Sequence, residues 1–288
     1  MTTSRPDVTG YYHEDTGSIA YLLADPATGK AAIIDPVLDY DEKAARTWTA
    51  SADAMLADVA RRKLKIEWLL DSHPHADHLS ALDYLKGKLG APTATGAKIV
   101  EVQKLWRDIY NAPDLPTDGS DFDKLFTDGE SFNVGEIPVR VMHTPGHTLA
   151  SVIFIAGDAA FVNDTLFQPD TGSARCDFPG GSPQAQYDSI MKILALPDDT
   201  RLFTGHDYKH GGRAAKWEST VAAQKRANVH FGKQPTREQY AEVRRARDRT
   251  LPMPRNILHA LQINLRAGKL PPPESDGRSY LKIPLNRL

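Results

Sequence analysis

Cys176 is the only cysteine in this 288-residue chain. One cysteine cannot close an intramolecular disulfide, which fits a reducing compartment, and it excludes a thiolate-only zinc or iron–sulfur site. An excess of charge of one sign is also missing, since 35 Lys and Arg against 37 Asp and Glu leave a net charge of −2. There is no bulk electrostatic drive toward nucleic acid or an anionic membrane, and small molecules are the expected partners. No stretch approaches the roughly 20 apolar residues that cross a bilayer, and the opening MTTSRPDVTG has no apolar core of a targeting segment. The expectation is a cytoplasmic chain. Internal repeats and low-complexity tracts are absent, while 41% apolar and 25% charged content is ordinary for a globular fold. What the chain does have is histidine, ten in all. With thiolate scarce, any metal site must rest on imidazole and carboxylate.

The first half alternates short β-rich runs with helical patterns. Ile19–Ala24 and Ala31–Ile34, joined by DPATGK, read as a hairpin. Ser51 reads as the N-cap of a helix carrying Met55, Leu56 and Val59 at helical spacing. Ile66–Leu70 is a run of strand length, followed by a histidine-rich loop and a helix expected from near Leu79 to Gly90. Strands and turns dominate from Ser131 to Phe167, then Ser182-Pro183 opens a helix running to about Leu196, and Arg201–Gly205 gives one more strand. Beyond Tyr208 the pattern predicts helices without strands, over Trp217–Val229, Arg237–Leu251 and Pro254–Lys269. The expected organisation is an α/β core over 1–208 with a mainly helical extension over 209–288.

Four clusters of ligand-type residues follow strands. The densest is His73-Pro74-His75-Ala76-Asp77-His78. Residues two apart on extended chain share a side, so His73 and His75 can meet one ion and Asp77 with His78 a second. A lone His-x-His is as well explained by a polar loop, and Asp77 by a helix cap, but four such residues in six positions weaken both explanations. His143-Thr144-Pro145-Gly146-His147 turns sharply at Pro-Gly, with His143 the better candidate for a structural role. Asn163-Asp164 and His206-Asp207-Tyr208 end two further strands; taken singly, Asp164 reads as a turn residue. His147 lies 69 residues after His78, Asp164 17 after His147, and His206 42 after Asp164.

This ordered series resembles the metallo-β-lactamase superfamily. The resemblance implies a four-layer αβ/βα sandwich with the site at one edge of two facing sheets. In a fully occupied superfamily site His73, His75 and His147 hold one metal, Asp77, His78 and His206 the other, and Asp164 bridges them. The flanking IIDPVLDYD, DSHPHADHLSA, HTPGHTLAS, NDTLF, GSARCDFPGG, GHDY and SYLKIPLN resemble the persulfide (sulfur) dioxygenase branch, near glyoxalase II. That branch implies one Fe(II) per chain bound by His73, His147 and Asp164, with His75, Asp77, His78 and His206 placed around the site. The chain has Asn163 before Asp164 where the common pattern has Gly, and Asn is the side-chain-bearing residue that best tolerates a left-handed backbone.

The implied activity is oxidation of glutathione persulfide by dioxygen and water to sulfite and glutathione. A glyoxalase II-like dinuclear thioester hydrolase is the first alternative, and a noncatalytic thiol-binding protein the second. By the same resemblance Arg175 and Asp177 are buried support for the site, Tyr208 a hydrogen-bond donor toward the iron ligands, and a homodimer the oligomer to expect. Lys225, Arg226, Asn228 and His230 sit where relatives place contacts to glutathione. Cys176, beside Phe178, reads as a small hydrophobe. The RRARDR run, with Arg244, Arg245 and Arg247, reads as an exposed helix face.

Overall fold

The computed structural model describes residues 5–288. In chain order, β1 (Asp7–Tyr12), β2 (Ile19–Ala24), β3 (Lys30–Ile34), β4 (Val37–Asp41) and β5 (Arg46–Trp48) lead into α1 (Ala50–Arg61). Then come β6 (Lys65–Leu70), β7 (Leu79–Ser80), α2 (Leu82–Leu89), β8 (Thr93–Gly96), α3 (Ile99–Tyr110) and β9 (Lys124–Phe126). The second half holds β10 (Ser131–Val134), β11 (Ile137–His143), β12 (Val152–Ala156), β13 (Ala159–Asn163), α4 (Pro183–Leu194), β14 (Arg201–Thr204) and β15 (Glu218–Thr220). Three helices close the chain: α5 (Val221–Ala227), α6 (Arg237–Asp248) and α7 (Ile257–Asn264).

Two six-stranded sheets, ordered β1-β2-β3-β6-β8-β9 and β10-β11-β12-β13-β14-β15, face each other. The side-chain period of two explains how each strand serves two layers. In β2, Ile19, Tyr21 and Leu23 enter the core between the sheets with Val141, Phe154, Phe161 and Phe203. Ala20, Leu22 and Ala24 point the other way, into a layer with Met55 of α1, Leu85 of α2, Trp106 of α3 and Leu261 of α7. Ile153, Ala160 and Leu202 on the outer face of the second sheet meet Ile190 of α4, Val221 of α5 and Tyr240 of α6. These layers give the αβ/βα sandwich. No helix is long and apolar enough to cross a membrane among the described residues.

Local readings of the sequence fare unevenly. The β2–β3 hairpin forms, and Ser182 caps α4 by accepting the Ala185 N–H at 3.2 Å, with Pro183 at the first helical position. Ser51 is not a cap, because α1 starts at Ala50 and Asp39 of β4 takes both the Ser51 N–H (2.9 Å) and hydroxyl (2.6 Å). The helix expected from Leu79 begins at Leu82, since Leu79 and Ser80 are extended by pairing with Leu38 and Val37; it ends as expected at Gly90, with φ +66°. The stretch after Tyr208 is not free of strands either, because β15 pairs antiparallel with β14 and completes the second sheet.

Candidate metal centre

The candidate ligands gather where strands of both sheets end. His73 follows β6, His147 follows β11, Asp164 directly follows β13, and His206 lies just past β14. Turn chemistry aims them. Asn163 takes the left-handed conformation expected of it, φ +42°, and donates from Nδ2 to the Val152 carbonyl at 2.5 Å, so the turn before Asp164 is locked. Gly146 adopts φ +145°, where a Cβ would collide with the main chain of Gln186. Gly205 must also lack a Cβ, which would collide with Asp164 Oδ1.

One ligand atom each from His73, His147 and Asp164 come within 4.8 Å of one another, all three residues being buried. Their neighbours settle which imidazole nitrogen faces the others. Ser72 Oγ donates to Asp35 Oδ2 at 2.8 Å, so it accepts from His73 Nδ1, 3.0 Å away, and leaves His73 Nε2 as a bare lone pair. That atom is buried with no hydrogen-bond partner. His147 Nδ1 donates to the Arg175 carbonyl at 2.8 Å, turning Nε2 toward Asp164 Oδ2, 3.7 Å away. Burial and then the charge of His75 hold His73 well below the usual imidazole range, and burial lowers His147. Two neutral imidazole lone pairs and a carboxylate converging in one buried cluster are a donor set that fits a divalent metal ion.

His206 is arranged differently. Its Nδ1 faces Asp164 Oδ1 at 2.6 Å and its Nε2 faces Asp77 Oδ2 at 2.7 Å, with Ser18 donating to the same Asp77 oxygen at 2.7 Å. Burial opposes its charge, but Asp164 and Asp77 outweigh that and raise its pKa well above the ordinary value. His75 groups with Asp77 and His78, and separately with Asp35 and Asp71, but not with His73 and His147. The loop bends at Ser72–His73 and again over Ala76–His78 instead of running as extended chain, and Asp35 Oδ1 lies at ion-pair distance, 3.1 Å, from His75 Nε2. Burial disfavours charge on His75, yet Asp35 keeps its pKa at about 9. His78 donates from Nδ1 to the Leu79 carbonyl at 3.0 Å, and burial followed by the His75 charge lowers it to about 4.

A cavity of about 650 Å³ opens beside Asp77, His147 and Asp164. Tyr208 lines it, its ring stacked on His206 at 5.5 Å. Arg175 lines it too, pairing in two bonds (2.7 and 2.8 Å) with Asp177 and lying 5.0 Å over the Phe178 ring. Asp177 itself is 34% exposed rather than buried; the link from this segment to the site is the Arg175 carbonyl on His147. Of the four expected glutathione contacts only His230 lines the cavity. Lys225 pairs with Asp198 on the surface at 2.7 Å and Arg226 is exposed, because α5 turns Val221 and Gln224 inward instead. Asn228 is buried and holds the His230 and Phe231 N–H groups at 2.8 and 3.1 Å.

Cations that the sequence reading placed in solvent reach the cavity. Arg244 and Arg247 of α6 line it, and Arg244 is 3% exposed, paired with Asp248. The i,i+4 spacing of Arg244 and Asp248 was the available signal. Arg255 also lines the cavity. Cys176 is buried, donates to Gln186 Oε1, and has its thiol pKa raised by burial, in keeping with a packing role. His143 is structural, its Nε2 bonded to the Leu149 carbonyl at 2.8 Å.

Comparison with known proteins agrees with this architecture. The family model described as Metallo-beta-lactamase superfamily matches residues 15–206. The "Beta-lactamase hydrolase-like protein" of Xylella fastidiosa is 58% identical over 284 residues, covering 98% of this chain and 65% of that one. This chain thus spans under two thirds of that relative's length. "Glyoxylase B2" of Dictyostelium discoideum is 46% identical over 270 residues, covering 93% of this chain and 92% of that one. The crystal structure of ETHE1 from Myxococcus xanthus superposes with a TM-score of 0.73 at 27% identity, covering 91% of this chain and all of that one. The chain belongs to the metallo-β-lactamase superfamily, and its likeness to ETHE1 and to glyoxylase B2 supports the branch that its motifs resemble.

Proposed function

We propose that the protein is a mononuclear iron persulfide dioxygenase that takes glutathione persulfide, dioxygen and water to sulfite and glutathione. The observation that carries this reading is the buried two-histidine, one-carboxylate set of His73, His147 and Asp164, two of whose members line the cavity, while both nitrogens of His206 face carboxylates. Bound there, a ferrous ion would be held by His73, His147 and Asp164 and would supply the redox chemistry between persulfide and dioxygen. The chain supplies orientation. Ser72 and the Arg175 carbonyl fix the two imidazole tautomers, and His206 holds the carboxylate of Asp164 in place.

The cavity fits an anionic thiol compound. Phe167, Phe178, Leu251 and Met253 give it an apolar wall. Of the arginines along it, Arg175, Arg244 and Arg255 pair with Asp177, Asp248 and Glu42, whereas Arg247 has no carboxylate partner among the described residues. Arg247 is therefore free for a carboxylate of glutathione, which carries two. Cys176 is too buried to act as a sulfur carrier, so the sulfur that reacts is the substrate's.

The grouping of His75, Asp77 and His78 favours one second reading, a dinuclear thioester hydrolase of the glyoxalase II kind. Oxygen uptake with glutathione persulfide by anaerobically iron-loaded protein, beside S-lactoylglutathione hydrolysis and metal analysis, separates the two. Oxygen uptake with one iron per chain is expected; rapid thioester hydrolysis with two metals and no uptake refutes the dioxygenase. Asp164→Ala should lose the iron outright, whereas His206→Ala, which removes only a brace on Asp164, should bind one iron more weakly; a parent that binds two metals and falls to one in His206→Ala supports the dinuclear site.

A further inference from the structure

The ligand loop has almost no main-chain support of its own. Among the described residues no main-chain to main-chain hydrogen bond involves His73 through His78. Its carbonyls are instead held by two asparagines of the C-terminal part of the chain. Asn264, the last residue of α7 and 1% exposed, donates from Nδ2 to the carbonyls of both His75 and His78, each at 2.8 Å. Its Oδ1 accepts the Ser80 N–H at 2.7 Å. Asn256, before α7, donates to the Asp77 carbonyl at 2.8 Å.

This arrangement is specific to a carboxamide. Two carbonyls must face the NH2 group and one N–H must face the oxygen, so the Asn264 amide fits in only one orientation, and Asp in its place sets a carboxylate against two carbonyl oxygens. The helix that carries it is itself fixed. Gln103 Nε2 of α3 donates to the Leu265 carbonyl at 2.9 Å, and Ala260 and Ile263 pack on Leu79 at the end of the loop. Gly268, with φ +84°, lets the chain pass where a Cβ would come within 2.8 Å of the Ser80 carbonyl.

We infer that Asn264 and Asn256 are positioning residues of the metal centre, fixing the backbone of residues 75–78 so that the loop presents His73 to the ion and keeps His75, Asp77 and His78 in their places around it. The inference rests on the reading of this cluster as a metal site. It makes the C-terminal helix a part of the centre's outer shell, though it contributes no ligand.

The full chain, stripped of metal and titrated with Co(II), provides the test. Affinity is read by chelator competition, the ligand set by the Co(II) absorption bands, and folding by thermal unfolding of the metal-free forms. Asn264→Asp and Asn256→Ala are expected to lower Co(II) affinity by about 10 to 100-fold and to alter the bands at saturation. A lower unfolding midpoint with parental affinity and bands in both variants overturns the inference, as does no change at all. Should Asn264→Asp fail to fold, Asn256→Ala, which removes a single bond, decides the matter on the same two readouts. Failure of the metal reading looks different: the parent then binds Co(II) no better than His73→Ala does, and both proposals fall.

Discussion

The buried pair of Arg244 and Asp248 makes a quantitative prediction about how the cavity wall is held. Their side chains are 3% and 4% exposed, and Arg244 reaches Asp248 Oδ1 at 2.7 and 2.8 Å. Arg244 also donates to the Ser173 carbonyl at 2.9 Å, and Asp248 accepts the Cys176 N–H at 3.0 Å, so the pair ties α6 to the segment whose Arg175 carbonyl orients His147. Arg244→Met fills similar volume but leaves Asp248 as an uncompensated buried charge, which costs about 3–5 kcal/mol. At roughly 2.1 cal/mol/K of unfolding entropy per residue, 288 residues give about 0.6 kcal/mol/K, and the midpoint should fall by about 5–8 °C. Removing both charges in Arg244→Met/Asp248→Leu should destabilise no more than the single change, because the stranded charge is gone. The assay is thermal unfolding of the metal-free proteins followed by circular dichroism. A midpoint drop under about 2 °C for Arg244→Met, or a double variant as damaged as the two single changes added together, refutes the reasoning.

Other expectations follow from single contacts. Burial, followed by the nearby Arg244 and Arg247, lowers His230 to about 4 from an ordinary 6.5. Between those values the unfolded chain binds the extra proton, so stability is whole above pH 6.5 and falls as the pH drops toward 4. Urea unfolding at pH 7 and pH 5 should show a smaller loss for His230→Asn than for the parent, and equal losses contradict this. Gly205→Ala drives a Cβ into Asp164 Oδ1 and to 3.0 Å from the Asn163 main chain, so metal content should fall together with about 1–3 kcal/mol of stability. Ser182→Ala removes the α4 cap bond and should cost about 1 kcal/mol in chemical denaturation while metal content stays at the parental level.

The candidate ligand positions were legible because such residue types sit in short contiguous stretches, each following an apolar strand, and a loop such as residues 73–78 displays them without needing the fold. The left-handed Asn163 was legible for a similar reason, being a local backbone demand met by one residue type. What sequence could not convey were partnerships over distance. Within RRARDR only Asp248, four residues on, sets Arg244 apart from its exposed neighbours Arg245 and Arg247, and its bond to the Ser173 carbonyl, 71 residues away, leaves no trace in the sequence. Lys225 and Arg226 carried the right charge on the wrong face of α5. The short β7 went unseen because its two residues are extended only by pairing with β4.

The asparagine clamp also gives the centre a position in time. Asp77 is translated 179 residues before Asn256, and His78 186 residues before Asn264. At about 5–20 residues per second of synthesis, the histidine loop waits on the order of 10–40 s for the residues that close it. Nascent chain that has displayed every ligand is still unfinished as a binding site. The geometry of the loop is therefore settled only after the C-terminal helix has been made, and a chain cut anywhere from residue 207 to residue 255 keeps every candidate ligand and loses the clamp.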